Sequence, residues 1–304
     1  MAKEGSEAQE QEGLMFHFDV DEGRHLLGFI TPSRQIKTSK ASCCIVVGGL
    51  TDGFLSLRYV PSLAERLNAM GWSVCQVNLS SSWNQFGTSS VMQDAKELWL
   101  LVDHLRKQRG FHRIGIIGHS TGCQDIMHMM KQYDEQGCPP HRSLDFAVFQ
   151  GGISDRQAMV GTHGFDGLLA EANAALAEGQ PDKVLSEKLF GIVSISAYRF
   201  HSMASKLGDE DFFSTDLTQE ELAPRLKPLT VPSLFVYSED DEYVKDMDAL
   251  KAFLNDTFMP TASSFSDCAK LVFLDGDHGL EKQEYRQAFV EQVAAFINEV
   301  SDKS

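Results

Sequence analysis

The chain has 304 residues, of which 42% are hydrophobic and 23% charged, so it can form a large core and is too apolar for wholesale disorder. It holds 27 Lys and Arg against 43 Asp and Glu, a formal net charge of −16, which argues against nucleic-acid or membrane partners. No segment has the roughly 20 apolar residues of a membrane-spanning helix, and no secretory signal pattern is visible. We therefore expect a cytoplasmic protein.

The six cysteines are predicted to be reduced. A chain of this length builds its own core and does not need disulfide bridges. Several of the cysteines lie in apolar runs, where a reduced thiol behaves as a small hydrophobe. Because no C-x-x-C motif and no pair of histidines at zinc spacing is present, we expect neither a structural metal nor a cofactor. The six are Cys43, Cys44, Cys75, Cys123, Cys138 and Cys268.

Strand-like and helix-like segments alternate after a polar leader, residues 1–12, which is predicted to be disordered. Runs of apolar and β-branched residues predict strands at 14–20, 25–31, 42–47, 72–77, 113–117, 144–150, 233–237 and 270–274. Apolar residues at helical spacing predict helices at 58–70, 91–108, 121–133 and 285–300. After an antiparallel start, this alternation predicts an α/β fold with a mostly parallel, eight-stranded sheet and helices on both faces.

One segment, between residues 151 and 232, interrupts the alternation. It contains helix-like pieces at 166–178 and 182–188 and loops rich in Asp, Ser and Phe. Since insertions of this kind often cover active sites, we interpret it as a helical lid on a single domain, residues 13–304, and not as a second domain. A merely decorative insertion is the alternative interpretation.

The pentapeptide Gly118-His119-Ser120-Thr121-Gly122 is a G-x-S-x-G motif. The pentapeptide motif alone has low specificity. Here, however, it directly follows a predicted strand and directly precedes a predicted helix, which is the arrangement of a nucleophile elbow. The sharp turn strains the serine backbone, and the glycines avoid clashes with the neighbouring strand and helix. The positive end of the helix dipole favours an oxyanion. Ser120 is therefore the predicted nucleophile.

A serine nucleophile needs a base, and the base needs an orienting carboxylate. In this architecture the acid and the histidine follow the nucleophile in that order, each after a later strand. His278 follows the last predicted strand and is the predicted base. The preceding strand leads into an acidic loop, where the spacing of Asp241 from Ser238 and Val244 fits the usual acid turn. Asp241 is the predicted acid, and Asp240 is the alternative.

Two backbone N–H groups must also point at the developing oxyanion. One is predicted to come from Thr121, beside the nucleophile, and the other from loop 48–53, whose glycines let the backbone approach the substrate. Leu50 is the predicted donor in that loop, with Thr51 as the alternative. Five further residues are candidates for lining the substrate pocket: Thr51, Trp83, Phe86, Tyr198 and His201. Ordinary positions in an exposed loop or packing within the lid are the alternative explanations.

Longer motifs give the chain a family resemblance that extends over nearly all of it after the leader. They are GGLTDGF at 48–54, SSSWNQFGTSS at 80–90, GHSTGCQD at 118–125, SDRQA at 154–158, DFFSTDL at 211–217 and SEDDEYV at 238–244. In these motifs the chain resembles the fungal and plant α/β-hydrolase family that includes the fusarinine-type siderophore esterases. The resemblance implies an α/β-hydrolase fold, cleavage of an ester bond, and Ser120, Asp241 and His278 as the triad.

These features predict a serine hydrolase that cleaves a carboxylic ester, of the siderophore type or of another small molecule, through an acyl-enzyme. The acyl-enzyme is common to several reactions, so a thioesterase, amidase or acyltransferase is an alternative prediction. A hydrolase fold reused as a non-catalytic ligand receptor or interaction module is a second alternative, which an intact triad disfavours. The sequence does not specify the oligomeric state.

Overall fold

An eight-stranded sheet forms the centre of the protein. The computed structural model describes residues 10–32, 41–136, 144–266 and 268–302. The strands are β1 (Leu14–Asp21), β2 (Arg24–Thr31), β3 (Ala41–Val47), β4 (Trp72–Asn78), β5 (Phe111–His119), β6 (Phe146–Gln150), β7 (Ser233–Ser238) and β8 (Ala269–Leu274). Their order is β1-β2-β4-β3-β5-β6-β7-β8. The pairs β1–β2 and β2–β4 are antiparallel and the others parallel, as predicted.

Helices cover both faces of this sheet, which confirms the predicted fold class. They are α1 (Val60–Ala69), α2 (Val91–Lys107), α3 (Gly122–Gln136), α4 (Asp155–Met159), α5 (Phe165–Ala177), α6 (Ala197–Ala204), α7 (Gln219–Leu226), α8 (Met247–Phe253), α9 (Met259–Ser263) and α10 (Gln283–Asp302). Residues of α2, α3, α7, α8 and α9 form the apolar core on one face. Residues of α1 and α10 form the core on the other face.

The burial of each strand explains its sequence pattern. Along β1, exposed and buried side chains alternate over most of its length, because only one of its faces contacts the core. The inner strands β3, β4 and β6 are buried at almost every position, so their sequences are mostly apolar. Parallel pairing brings the carboxyl ends of β3, β5, β6, β7 and β8 to one edge of the sheet, where ligands bind in open α/β sheets.

The insertion between β6 and β7 contains the four helices α4 to α7. Apolar residues of α4, α5 and α6 pack into a cluster of their own, which also includes Phe86. Leu222 and Leu226 of α7 belong instead to the core on one face of the sheet. The predicted helix at 182–188 is wrong: this segment consists of turns and a short extended stretch. Leu185 N–H donates to the Ile195 carbonyl at 2.9 Å, and Val184 forms an isolated β-bridge with Ser196. The backbone therefore pairs with a strand-like segment ten residues further on, which local periodicity does not reveal.

The cysteines that the structure describes are free. Cys43, Cys44, Cys75 and Cys123 are buried and Cys268 is partly buried, as expected for reduced core residues. Cys138 lies outside the described residues, as does most of the predicted leader at 1–12. Among the described helices, none combines the length and apolar character needed to cross a membrane.

Candidate active site

Ser120 lies on a sharp turn between β5 and α3. Its backbone has a φ of +51°, in the left-handed region that non-glycine residues rarely adopt. The turn leaves no room for a side chain at either flanking glycine: a Cβ at Gly118 would lie 2.7 Å from the carbonyl carbon of Gly122, and one at Gly122 would lie 2.6 Å from the oxygen of Gly48. Ser120 N–H donates to the Gln150 carbonyl at 2.9 Å, which fixes the turn against β6.

His278 and Asp241 form a buried hydrogen-bonded pair after β8 and β7. The distance from His278 Nδ1 to Asp241 Oδ2 is 2.7 Å, and the two side chains are 8% and 1% exposed. The other carboxylate oxygen of Asp241 accepts from Tyr243 N–H at 3.0 Å. Asp240 is exposed, and its backbone N–H donates to the Gly276 carbonyl at 3.0 Å. The structure therefore pairs Asp241 with the histidine, and not Asp240.

Gln150 and Glu242 hold the histidine loop from both sides. Gln150 Nε2 donates to the His278 carbonyl at 3.0 Å, and Glu242 Oε2 accepts from His278 N–H at 2.9 Å. Gln150 Oε1 also bonds Nδ1 of His119, whose ring centroid lies 4.9 Å from that of His278. Burial, with a smaller contribution from His278, lowers the pKa of His119 to about 3. His119 is therefore neutral near pH 7 and adds no charge beside His278.

Ser120 and His278 line one cavity of about 650 Å³ at the carboxyl edge of the sheet. In the described part of the chain, neither the Ser120 hydroxyl nor His278 Nε2 has a hydrogen-bond partner. A Cβ at Gly151, directly after β6, would lie 3.0 Å from His278 Cε1 and 3.9 Å from Nε2, so the ring packs against the loop that follows Gln150. A hydrogen bond between a catalytic serine and its histidine often forms only when substrate binds.

The loop after β3 lies directly against the nucleophile. A Cβ at Gly49 would lie 2.7 Å from Ser120 Cβ. The loop is held by Asp52, whose Oδ2 accepts from Gly49 N–H at 2.8 Å and whose N–H donates to the Gly49 carbonyl at 3.2 Å. Burial raises the pKa of Asp52. In the described chain the N–H groups of Leu50 and Thr121 have no protein acceptor, so both are free to bind an oxyanion.

Comparison with known proteins places this chain in a family. Residues 10–298 match the family described as "Protein of unknown function (DUF1749)". The chain belongs to the DUF1749 family. The UPF0613 protein PB24D3.06c of Schizosaccharomyces pombe is 31% identical over 248 residues, which cover 74% of this chain and 77% of that protein. The fusarinine C esterase sidJ of Aspergillus fumigatus is 26% identical over 229 residues, which cover 61% of this chain and 65% of that esterase.

Solved structures identify the fold. The siderophore hydrolase EstB from Aspergillus fumigatus matches with a TM-score of 0.68 at 22% identity, covering 95% of this chain and 98% of EstB. An α/β-hydrolase fold protein of unknown function also matches with a TM-score of 0.68, at 16% identity, covering 97% of this chain and 98% of that one. The DUF1749 chain therefore has the α/β-hydrolase fold. The predicted resemblance to the family of the fusarinine-type siderophore esterases is confirmed.

The structure brings together some of the predicted pocket residues of this DUF1749 protein and not others. Thr51 and Leu50 line the cavity beside Ser120. The other four candidates lie outside its lining, for reasons of tertiary packing. Trp83 is 50% exposed and covers Gly53, Phe86 is buried in the core of the insertion, Tyr198 donates to Asp209 Oδ2, and His201 bonds Asn173.

Several residues of the site were not identified from the sequence. Gln150, Glu242 and His119 support the histidine loop. Glu242 lies in SEDDEYV and His119 in GHSTGCQD, but neither motif indicates this contact, and Gln150 lies in none of the quoted motifs. The insertion contributes one wall of the cavity, including Asp155, Met159 and Phe190. Asp155 belongs to the SDRQA motif, so its position in a family motif is the signal that could have drawn attention to it.

One group of side chains outside the cavity has the spacing of metal ligands. Among the described residues, His17, Asp19 and His25 are the group whose ligand atoms lie within 4.8 Å of one another. They are exposed on the β1–β2 hairpin, and His25 Nδ1 hydrogen-bonds Asp19 at 2.6 Å. These residues lie on the antiparallel edge of the sheet and belong to no part of the cavity.

Proposed function

We propose that this protein is a serine hydrolase that cleaves a carboxylic ester through an acyl-enzyme. The observation that carries the proposal is the buried 2.7 Å hydrogen bond between Asp241 and His278, on a cavity that Ser120 also lines. The pair gives a histidine with a fixed tautomer and a free Nε2 on the same cavity as a strained serine, which is the set of groups that acyl transfer requires. Membership of a family with relatives named esterases supports the same reaction.

Acylation begins when Ser120 Oγ attacks the ester carbonyl carbon and His278 Nε2 takes the hydroxyl proton. Asp241 stabilises the imidazolium through Nδ1–H. The negative charge on the carbonyl oxygen is bound by the N–H groups of Leu50 and Thr121. When the tetrahedral intermediate collapses, His278 protonates the leaving alcohol, and the acyl group stays on Ser120.

Deacylation repeats these steps with water as the nucleophile. His278 Nε2 removes a proton from the water as its oxygen attacks the acyl carbon, and the same two N–H groups stabilise the second oxyanion. Collapse breaks the bond to Ser120 Oγ, which takes the proton back from His278, and a carboxylic acid leaves. Because His119 is neutral, with a pKa lowered to about 3 by burial, it adds no repulsion to the imidazolium.

The insertion acts as the lid of this site and selects the substrate. Its residues Ile153, Asp155, Met159 and Phe190 line the same cavity as Ser120. The relatives named for siderophore hydrolysis suggest a small-molecule ester of that type. The cavity of about 650 Å³ is of the size of a small-molecule binding site.

Covalent labelling tests the nucleophile. A fluorophosphonate probe should label the wild-type protein at Ser120 and should not label Ser120→Ala. The control is Ser263→Ala, which changes an exposed serine at the end of α9 and should label like the wild type. With p-nitrophenyl butyrate, Ser120→Ala should lose at least about a thousandfold in kcat/KM while keeping its melting temperature. Wild-type turnover by a folded Ser120→Ala protein would refute the assignment.

A further inference from the structure

The catalytic cavity has an acidic lining. Four carboxylates line it, and no lysine or arginine does so among the described residues. Three of the four have a backbone N–H or a cation beside them: Gly49 N–H for Asp52, His278 N–H for Glu242 and Arg58 for Glu281, at 2.8, 2.9 and 3.0 Å. The fourth is Asp155, which begins α4 at the start of the insertion.

Asp155 is fixed relative to the nucleophile. Its Oδ2 accepts from Gln124 Nε2 at 2.9 Å, and Gln124 lies on α3, one turn after Ser120. Gln124 is almost fully buried and also donates to the Ile153 carbonyl at 3.1 Å, so it ties the start of the insertion to the nucleophile helix. Oδ1 of Asp155 has no partner among the described residues, and the side chain is half-buried at the wall of the cavity.

Asp155 also belongs to a group of carboxylates that outnumber the cation beside them. Asp94, Asp125 and Asp155 all interact electrostatically with Arg199, whose Nη1 already lies 3.0 Å from Glu210 Oε1. Since Arg199 and Glu210 are 2% and 1% exposed, their pair is held in place. Because Arg199 is already paired with Glu210, it does not fully neutralise Asp155, and an ionised Asp155 would attract a cation that enters the cavity.

We infer that Asp155 binds a cationic group of the substrate, and that the preferred ester therefore carries an ammonium group within reach of its scissile carbonyl. This inference rests on the proposed ester-hydrolase function and adds the substrate class to it. The ammonium would contact Oδ1, which is open, while Gln124 keeps hold of Oδ2. Asp155 is a specificity residue in this scheme and takes no part in the proton transfers at Ser120.

The protonation of Asp155 makes the preference depend on pH. Desolvation, followed by the charge of Glu210, raises the pKa of Asp155 to about 7, against the pull of Arg199, His278 and Gln124. Asp155 is therefore mostly protonated at pH 6 and mostly ionised at pH 8. Because the ionised form attracts a cation, the preference for a cationic ester should rise between these two pH values.

Matched pairs of esters measure this preference. On the alcohol side, acetylcholine is compared with 3,3-dimethylbutyl acetate, in which carbon replaces the charged nitrogen. On the acyl side, the p-nitrophenyl ester of 4-(trimethylammonio)butyric acid is compared with that of 5,5-dimethylhexanoic acid. The readout is the ratio of kcat/KM for the cationic ester to that for its neutral partner. Both members of a pair react with the same form of the enzyme, so pH effects on the shared catalytic steps cancel in this ratio.

In the wild-type protein at pH 8, we expect a ratio of about 10 or more in at least one pair, since about 1.4 kcal/mol of attraction corresponds to tenfold. The ratio should fall at pH 6. In Asp155→Asn, which keeps an oxygen for Gln124, it should be near one at both pH values. The matched control is Glu281→Gln, which removes a cavity carboxylate that Arg58 already neutralises and should change the ratio less than about twofold.

The outcomes separate this inference from the proposed function. A wild-type ratio near one in both pairs at pH 8, or the same high ratio in Asp155→Asn, overturns the inference and leaves the ester hydrolase intact. Fluorophosphonate labelling of Ser120 without turnover of either cationic ester also overturns the inference alone. Failure of both labelling and turnover overturns the proposed function with it. If Asp155→Asn does not fold, the pH dependence of the wild-type ratio decides, because a ratio independent of pH contradicts a role for Asp155.

Discussion

Replacing Asp241 by Asn tests the acid of the proposed triad. The substitution keeps the size of the side chain and removes its charge, while the partner Nδ1 of His278 lies 2.7 Å from Oδ2 in an almost fully buried environment. An amide at this position also presents an N–H or an oxygen without charge, so it no longer selects the tautomer that leaves Nε2 free to accept the proton of Ser120.

The distance sets the size of the effect. Two unit charges 2.7 Å apart interact with about 6 kcal/mol at an effective dielectric constant of about 20. This stabilisation exists only when the imidazolium forms, so its loss raises the barrier, and about 1.4 kcal/mol corresponds to a factor of ten in rate. Because the imidazolium charge is spread over the ring, we expect a loss in kcat of about 10³- to 10⁴-fold.

The assay is the hydrolysis of p-nitrophenyl butyrate by Asp241→Asn, with Asp240→Asn as the matched control. Asp240 is the neighbouring acid of the same loop, but it is exposed and its backbone, not its carboxylate, holds the loop. Asp240→Asn should keep kcat within about threefold of the wild-type value, as is usual for a surface change. Near-normal activity in Asp241→Asn together with a large loss in Asp240→Asn would refute the assignment.

Two further predictions concern the loop beside Ser120 and a buried acid. Gly49→Ala would place a methyl group 2.7 Å from Ser120 Cβ and should lower kcat/KM at least about a hundredfold by displacing the nucleophile. The control Gly167→Ala, in open space on α5, should leave kcat/KM unchanged. Equal kcat/KM values for the two variants would contradict this prediction. Desolvation raises the pKa of Asp94 to about 7, so the folded state binds more protons than the unfolded state between pH 4 and 7, and this contribution to stability is lost as pH rises. Asp94→Asn should therefore raise the melting temperature above that of the wild type, and the gain should be at least about 2 °C larger at pH 8 than at pH 5. The same gain at both pH values would count against this prediction.

The local sequence determined most of the sheet and the elbow. Continuous apolar runs such as those of β3 and β6 can only be buried on both faces, and the alternation in β1 can only suit a strand with one buried face. The elbow was visible because a strand, a sharp turn and a helix follow one another without a gap around Ser120. These features depend on neighbouring residues, so the order of residues is sufficient to predict them.

Contacts between distant segments decided the rest. Residues 182–188 do not form a helix because their backbone pairs with a later segment: Leu185 N–H donates to the Ile195 carbonyl, and Ala197 N–H donates to the Lys183 carbonyl. Four acids in a row look alike in sequence, and only the approach of the histidine loop singles out Asp241, while its neighbour Glu242 binds His278 N–H. Trp83, Phe86, Tyr198 and His201 are ring-bearing residues of the kind that lines substrate pockets, yet tertiary packing places them outside the cavity lining.

The sequence by itself thus determined which strands and helices form and which residues can carry the chemistry. The tertiary structure alone decided which of those residues meet at the cavity, and that Asp155 faces it with an open oxygen. The physical reason is that periodicity and turn residues act over a few positions of the chain, whereas the burial, charge and hydrogen bonds of a site depend on side chains that are over a hundred residues apart, as Gln150 and His278 are.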